Sequence, residues 1–126
     1  MNDSQTIAVR TEFDVFMARM QVRKLARAIG FDITNQARVA LATSSLARVL
    51  RLGETYRGQV IIDCLGGRQR SGMRVVCTAN TSDDFEIGSR AFTDVRWLVD
   101  ELTVEELPSK DLQVTLVKWV VQVGGG

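Results

Sequence analysis

The spacing of apolar positions along this chain changes period several times, and each change marks an element. Over residues 5–10 polar positions alternate with Ile7 and Val9, the two-residue period of a short strand. The period then lengthens. Val15, Ala18, Val22, Leu25 and Ile29 recur at helical spacing, behind a TEFD segment (Thr11 to Asp14) that has the form of a capped helix start. Gly30 stands at the usual stop. A second helix is expected over 33–53, with Thr34 as its N-cap and Gly53 as its end. Ile33, Ala37, Val39, Ala40, Leu41, Leu46, Ala47 and Leu50 make it apolar nearly all round, and Ala42, Ser44 and Ser45 add small side chains. Such a helix is expected to be buried against both a sheet and a neighbouring helix.

Two strand-like runs follow, 59–65 and 73–79, around the turn-rich GGRQRSG, so an antiparallel hairpin is predicted with Arg68 and Arg70 as solvated tip residues. Residues 80–89 read as a polar loop whose Asp83, Asp84 and Glu86 lack the calcium-loop pattern. A third helix is predicted over 91–101, with Phe92, Val95, Leu98 and Val99 on its apolar side, then a strand over 102–107 before Pro108. The last strand, 112–121, puts Leu112, Val114, Leu116 and Val120 on one face, interrupted by Lys118. Thr115, Val117, Trp119 and Val121 fall on the other, where Val117 and Trp119 are expected to be partly exposed. The order strand, helix, helix, strand, strand, helix, strand, strand makes an α+β fold: a two-layer α/β sandwich with helices on one face of a mixed, mainly antiparallel sheet. One domain is expected over 1–123, with Gly124, Gly125 and Gly126 as a flexible end.

Composition narrows the chemistry. The 45% hydrophobic and 25% charged residues are those of an ordinary globular chain. Sixteen basic against fifteen acidic residues argue against a dedicated nucleic-acid or anionic-membrane binder. The polar N-terminus does not read as a signal peptide, and no apolar run is long enough to span a bilayer, so a cytoplasmic protein is expected. There is no histidine, which removes Ser-His and Cys-His catalysis and the commonest metal ligand; no metal site is expected. Cys64 and Cys77 sit in apolar runs and read as small buried hydrophobes.

The first helix carries a second stripe. Phe13, Met17 and Met20 line up beside its core face with Phe16 near them, and Arg19, Arg23 and Arg27 run along another side. One reading is a wide core face next to a solvated basic face. The other is a partner-binding surface of Phe13, Phe16, Met17, Arg19, Met20 and Arg23, since Met, Phe and Arg are favoured at interfaces.

The element order resembles the GHKL ATPase fold, and particular residues narrow the resemblance. TEFD at 11–14, ARAIGF at 26–31, QARVALATSSLAR at 36–48 and a C-terminal block from Val95 through VDEL to TLVKW at 115–119 are similar to the anti-sigma-factor serine kinases, among them the RsbT-like switch kinases of bacterial stress signalling. That resemblance implies a nucleotide site on the second helix, with a base-like Glu and a magnesium-holding Asn four residues apart. Here those positions hold Ser45 and Val49. Valine offers no lone pair to magnesium, and losing a general base typically costs about 10²–10⁴ in rate. The family's DxGxG segment reads Ala79-Asn80-Thr81-Ser82-Asp83, without the adenine-binding carboxylate and with Asp83 where a glycine is implied. The glycine-rich lid is replaced by a short acidic loop, which would repel a triphosphate, and the Gly-Thr before the last strand is Asp111-Leu112.

Set beside the family, the chain is therefore expected to have no catalytic residues and no cofactor. Ser45, Val49, Ala79, Asp83 and Leu112 mark a vestigial nucleotide site. The resemblance implies a protein partner: a STAS-domain anti-anti-sigma or stressosome protein, a PP2C-type phosphatase or a sigma factor. The first alternative is an active ATP- and Mg²⁺-dependent serine kinase acting on a STAS-domain protein. The second is a self-associating structural subunit, through the first strand or the Trp119 face.

Overall fold

The computed structural model describes residues 4–67, 69–81, 88 and 90–121. Strands β1 (Gln5–Val9), β2 (Gly58–Gly66), β3 (Arg70–Ala79), β4 (Glu101–Glu106) and β5 (Leu112–Val121) accompany helices α1 (Glu12–Ala28), α2 (Ile33–Val49) and α3 (Thr93–Leu98). The strands form one sheet in the order β1-β2-β3-β5-β4. Every pairing is antiparallel, which corrects the expectation of a mixed sheet. The connections explain it. α1 and α2 run out and back, so β2 returns antiparallel to β1. The crossover through α3 leaves β4 pointing the same way as β3, but β5 inserts between them and reverses every neighbour.

The period-two pattern of the strands sends Val60, Ile62, Met73, Val75, Cys77, Val114 and Leu116 to one buried face. There they meet Ala18, Val22 and Ala26 of α1, Val39, Leu46 and Ala47 of α2, and Val95 of α3 in a single apolar cluster. The two-layer α+β sandwich predicted from the sequence is the one that forms.

The start of α1 matches the prediction, whereas both ends of α2 and the length of α3 depart from it, each for a local reason. The Asp14 carboxylate accepts the backbone N–H groups of Arg10 at 2.8 Å and Thr11 at 3.1 Å, so TEFD starts α1 as expected. Those two bonds hold the Asp14 carboxyl below its ordinary value. The N-cap of α2 is Asp32, not Thr34: its carboxylate accepts the Asn35 N–H at 2.9 Å. The helix ends at Val49, before Gly53. Arg51 enters the left-handed region at φ 56°, and its carbonyl accepts the N–H groups of Glu54, Thr55 and Tyr56. Gly53, at φ 80°, lies so close to α1 that a Cβ would stand 2.5 Å from the Thr11 carbonyl oxygen, which ties the exit of α2 to the entry of α1. α3 is far shorter than 91–101, because β5 captures the chain after it: the Asp100 N–H donates to the Val117 carbonyl at 2.9 Å and β4 begins at Glu101.

On the other face of the sheet, Trp119 is partly exposed as expected, whereas Val117 is buried. The indole packs against Gly72, where a Cβ would meet Trp119 Cε3 and Cζ3 at 2.5 Å, and its Nε1 donates to Glu101 Oε2 at 3.0 Å. Arg70, predicted as a solvated tip residue, places its guanidinium 3.7 Å from the centroid of that ring. Arg68 lies outside the described residues. Asp63 is buried opposite Arg74, whose Nε and Nη2 donate to Asp63 Oδ2 at 3.1 and 3.0 Å, and the Ser4 hydroxyl donates to the other carboxylate oxygen.

Candidate functional site

The two positions singled out on α2 lie one turn apart and share a face. Ser45 and Val49 are both half-buried, and Val49 packs against the apolar cluster. Ala79, at the end of β3, is fully buried in that cluster, and Leu112, its register partner on β5, packs against it. Ala79 thus belongs to the apolar core of the chain, and Val49 and Leu112, both half-buried, pack against it.

Just beyond Ala79 the chain is tied to the turn before β5. The Asn80 side-chain amide donates to Asp111 Oδ2 at 3.3 Å, and the hydroxyl of buried Thr81 donates to the Lys110 carbonyl at 2.8 Å. The Asn80 N–H donates to the Arg57 carbonyl at 2.8 Å. Asp83, with Asp84 and Glu86, lies outside the described residues. In chemical terms Val49, Ala79 and Leu112 offer no oxygen or nitrogen side-chain donor, and the Thr81 hydroxyl is already engaged. Magnesium requires a near-octahedral set of oxygens, so these side chains do not fit a metal–triphosphate group. Among the described residues there is no cluster of three or more His, Cys, Asp or Glu side chains that could hold a metal ion.

Both cysteine thiols are held toward their neutral form. Cys77 is fully buried, and burial alone pushes its thiol up to about 12. Cys64 is only half-buried, short of the burial expected of it, because it lies toward the hairpin end of β2. Burial, then the charge of Asp63, raises its thiol as well.

On α1, Phe13, Phe16, Met17, Arg19, Met20 and Arg23 are all exposed. The reading of Phe13, Phe16, Met17 and Met20 as part of a wide core face is overturned: Phe13 is 66% exposed, and small Ala18 and Ala26 occupy the buried face instead. The rings of Phe13 and Phe16 stand 6.4 Å apart, centroid to centroid.

α2 also presents an apolar outer edge. Ile33 is 74% and Leu41 43% exposed, with exposed Ala37 between them at four-residue spacing, so the helix is not buried all round. Between the C-terminal half of α1 and the start of α2 lies a groove of about 590 Å³, lined by Met20, Arg23, Lys24, Arg27, Ile33 and Gln36. Lys24, Arg27, Ile33 and Gln36 were not among the partner-binding residues expected from the sequence. The usable signal was Asp32: as the true N-cap it puts Ile33 in the first turn, beside the last turns of α1. A second cavity, of about 270 Å³, lies at the opposite end of the helix pair and is lined by Glu12, Val15, Ser44, Arg48, Leu52 and Glu54.

Among the described residues no helix is long and apolar enough to cross a membrane. No protein-family model matches the chain. Along its length it is similar to the serine/threonine-protein kinase RsbT of Bacillus subtilis, at 26% identity over 133 aligned positions that cover 95% of this chain and 99% of that protein. That near end-to-end similarity supports the resemblance to RsbT-like kinases first drawn from the sequence motifs.

Proposed function

We propose that this chain is a catalytically inactive member of the anti-sigma-factor kinase group, a pseudokinase of GHKL type that regulates by binding a protein in bacterial partner-switching signalling. The observation that carries the reading is the α2 pair. Where the resemblance expects a base and a magnesium ligand, α2 has Ser45 and Val49, both half-buried, with Val49 packed against the core. A hydroxyl is no general base near neutral pH, and an isopropyl group cannot complete a magnesium shell. Ala79 in place of an adenine-binding carboxylate and the engaged side chain of Thr81 support the same conclusion. No nucleotide or metal is required for such a role. The protein acts in the cytoplasm, on a STAS-domain anti-anti-sigma or stressosome protein, a PP2C-type phosphatase or a sigma factor. Its docking face is the exposed stripe of Phe13, Phe16, Met17, Arg19, Met20 and Arg23 on α1.

Titrating the purified chain into a STAS-domain stressosome protein from the same genome tests this, with calorimetry for the complex and intact-mass spectrometry after incubation with Mg-ATP. A complex and an unchanged partner mass are expected. Phosphate appearing on a partner serine only when this chain is present would overturn the proposal. A second reading, an active ATP-dependent serine kinase, draws its support from the length of the alignment with a protein that is a named serine/threonine kinase. It predicts that phosphate.

A further inference from the structure

We infer that the groove between α1 and α2 is a docking site for an acidic amphipathic segment of a partner protein. Met20 and Ile33 receive its apolar side chains, and Arg23, Lys24 and Arg27 pair with its carboxylates. This rests on the reading of the chain as a protein-binding regulator and names the chemistry its partner must offer.

Three observations carry it. The groove, at about 590 Å³, has room for several side chains, and two of its lining residues, Met20 and Ile33, are large hydrophobics that the fold leaves exposed. Its three cations have no ion-pair partner among the described residues: the ion pairs found are Arg74–Asp63 and Lys118–Asp100, both on the sheet side. Finally, charge is segregated. The overall net charge of +1 hides a pair of helices in which Arg19, Arg23, Lys24, Arg27, Arg38 and Arg48 outnumber Glu12 and Asp14, at the far end of α1, and Asp32 at the start of α2. Asp14 and Asp32 each accept backbone N–H groups at a helix start, and neither lines the groove. A carboxylate entering here meets three cations that no described acid pairs.

The same charges decide between occupants. A second copy of the chain docked through this face would bring Arg23, Lys24 and Arg27 against themselves, which disfavours self-association here. A nucleic-acid backbone would satisfy the cations but would cover Met20 and Ile33 with nothing apolar. A segment with glutamates or aspartates on one side and leucine-like residues on the other satisfies both sets. Gln36 adds a further contact. It is buried in the groove wall with its Nε2 donated to the Phe31 carbonyl at 2.8 Å, which leaves its Oε1 to accept from the docked segment.

The test uses the full chain and three fluorescein-labelled probes followed by anisotropy. The first is a synthetic helical peptide with leucines on one face and glutamates on the other. The second is the same peptide with lysine for each glutamate, and the third is a double-stranded DNA oligonucleotide. The acidic peptide is expected to bind in the micromolar range. Arg27→Glu and Ile33→Asp, both on exposed positions, should each weaken it about tenfold or more, as loss of a central contact does, whereas Glu105→Lys on β4 should leave it unchanged. Circular dichroism confirms that the variants are folded.

Absent binding of the acidic peptide, equal binding by the Arg27→Glu and Ile33→Asp chains, or tighter binding of the oligonucleotide would each overturn the inference. Repeating the variants with a STAS-domain partner separates the two claims. A complex weakened by Met17→Asp but not by Arg27→Glu or Ile33→Asp would refute the groove and keep the regulator. Peptide binding in the groove, with no complex to any STAS-domain, phosphatase or sigma-factor partner, would keep the groove and refute the regulator.

Discussion

Replacing Gly72 by alanine tests how the open face of the sheet is held. The new methyl would stand 2.5 Å from Trp119 Cε3 and Cζ3, well inside carbon–carbon contact, and these are atoms of a rigid ring. The ring must retreat by about 1 Å, a displacement that forfeits a quarter to a half of the dispersion well for the atoms it leaves. In moving it strains the 3.0 Å bond from Nε1 to Glu101 and the 3.7 Å stacking of the Arg70 guanidinium. Overpacking of this kind costs about 1–3 kcal/mol, and a cation–π contact at an exposed site about 0.5–1 kcal/mol. A net loss of about 2 kcal/mol is expected, which for a domain of this size lowers Tm by roughly 8 °C.

The diagnostic is the double mutant. In a Trp119→Ala background the obstacle is gone, and Gly72→Ala should turn stabilising by about 0.5–1 kcal/mol, because glycine in a strand interior carries an entropic cost. Urea unfolding of the four proteins, followed by circular dichroism, should return a coupling of about 2–3 kcal/mol. A coupling near zero would refute the packing described for Trp119.

Other consequences are simpler to measure. Leu46→Ala, at the centre of the apolar cluster, should cost about 2–5 kcal/mol in urea unfolding. Asp63 is buried while Arg74 is about half-exposed, so Arg74→Ala, which strands a buried carboxylate, should destabilise more than Asp63→Ala, which frees a guanidinium toward water. The depressed Asp14 carboxyl contributes stability that is present above its unfolded value of 3.8 and lost as pH falls through the lower folded value. The acid limb of a urea-midpoint titration should therefore flatten in Asp14→Asn. The Cys77 thiol, raised to about 12, retains its proton in the fold, so its contribution is whole below pH 9.0 and declines as pH rises from there toward 12. In native protein at pH 8 a thiol reagent should label Cys64 and leave Cys77 untouched until urea is added.

The architecture was legible because its signals are local and repeat. The alternation in β2, β3 and β5 and the helical spacing of Val15 to Ile29 each name a face without knowledge of the rest of the fold. What sequence could not supply was competition between neighbours. Thr34 looks like a cap, but Asp32 reaches the Asn35 N–H first. Residues 99–101 continue a helical pattern, but β5 offers them a ladder. Ile33, Leu41 and Phe13 are as apolar as any core residue, and only the packing of Ala18, Ala26 and Val39 in the interior leaves them outside. Net charge concealed the basic helical layer for a similar reason: a sum over the chain does not know which residues share a surface. At the candidate site, residue identities at Ser45, Val49, Ala79 and Leu112 could be read directly. That Ala79 lies within the apolar core, with Val49 and Leu112 packed against it, could not.

Whether the wild-type chain engages Mg-ATP decides between a pseudokinase and an active kinase. Thermal unfolding with and without millimolar Mg-ATP measures that directly. A ligand at one hundred times its Kd stabilises a fold by about 2.7 kcal/mol, a shift in Tm of roughly 10 °C for this size of domain. With Val49 packed against the core and Ala79 buried within it, we predict no change in Tm. A saturable rise that depends on magnesium would contradict the claim that this chain has lost its nucleotide chemistry.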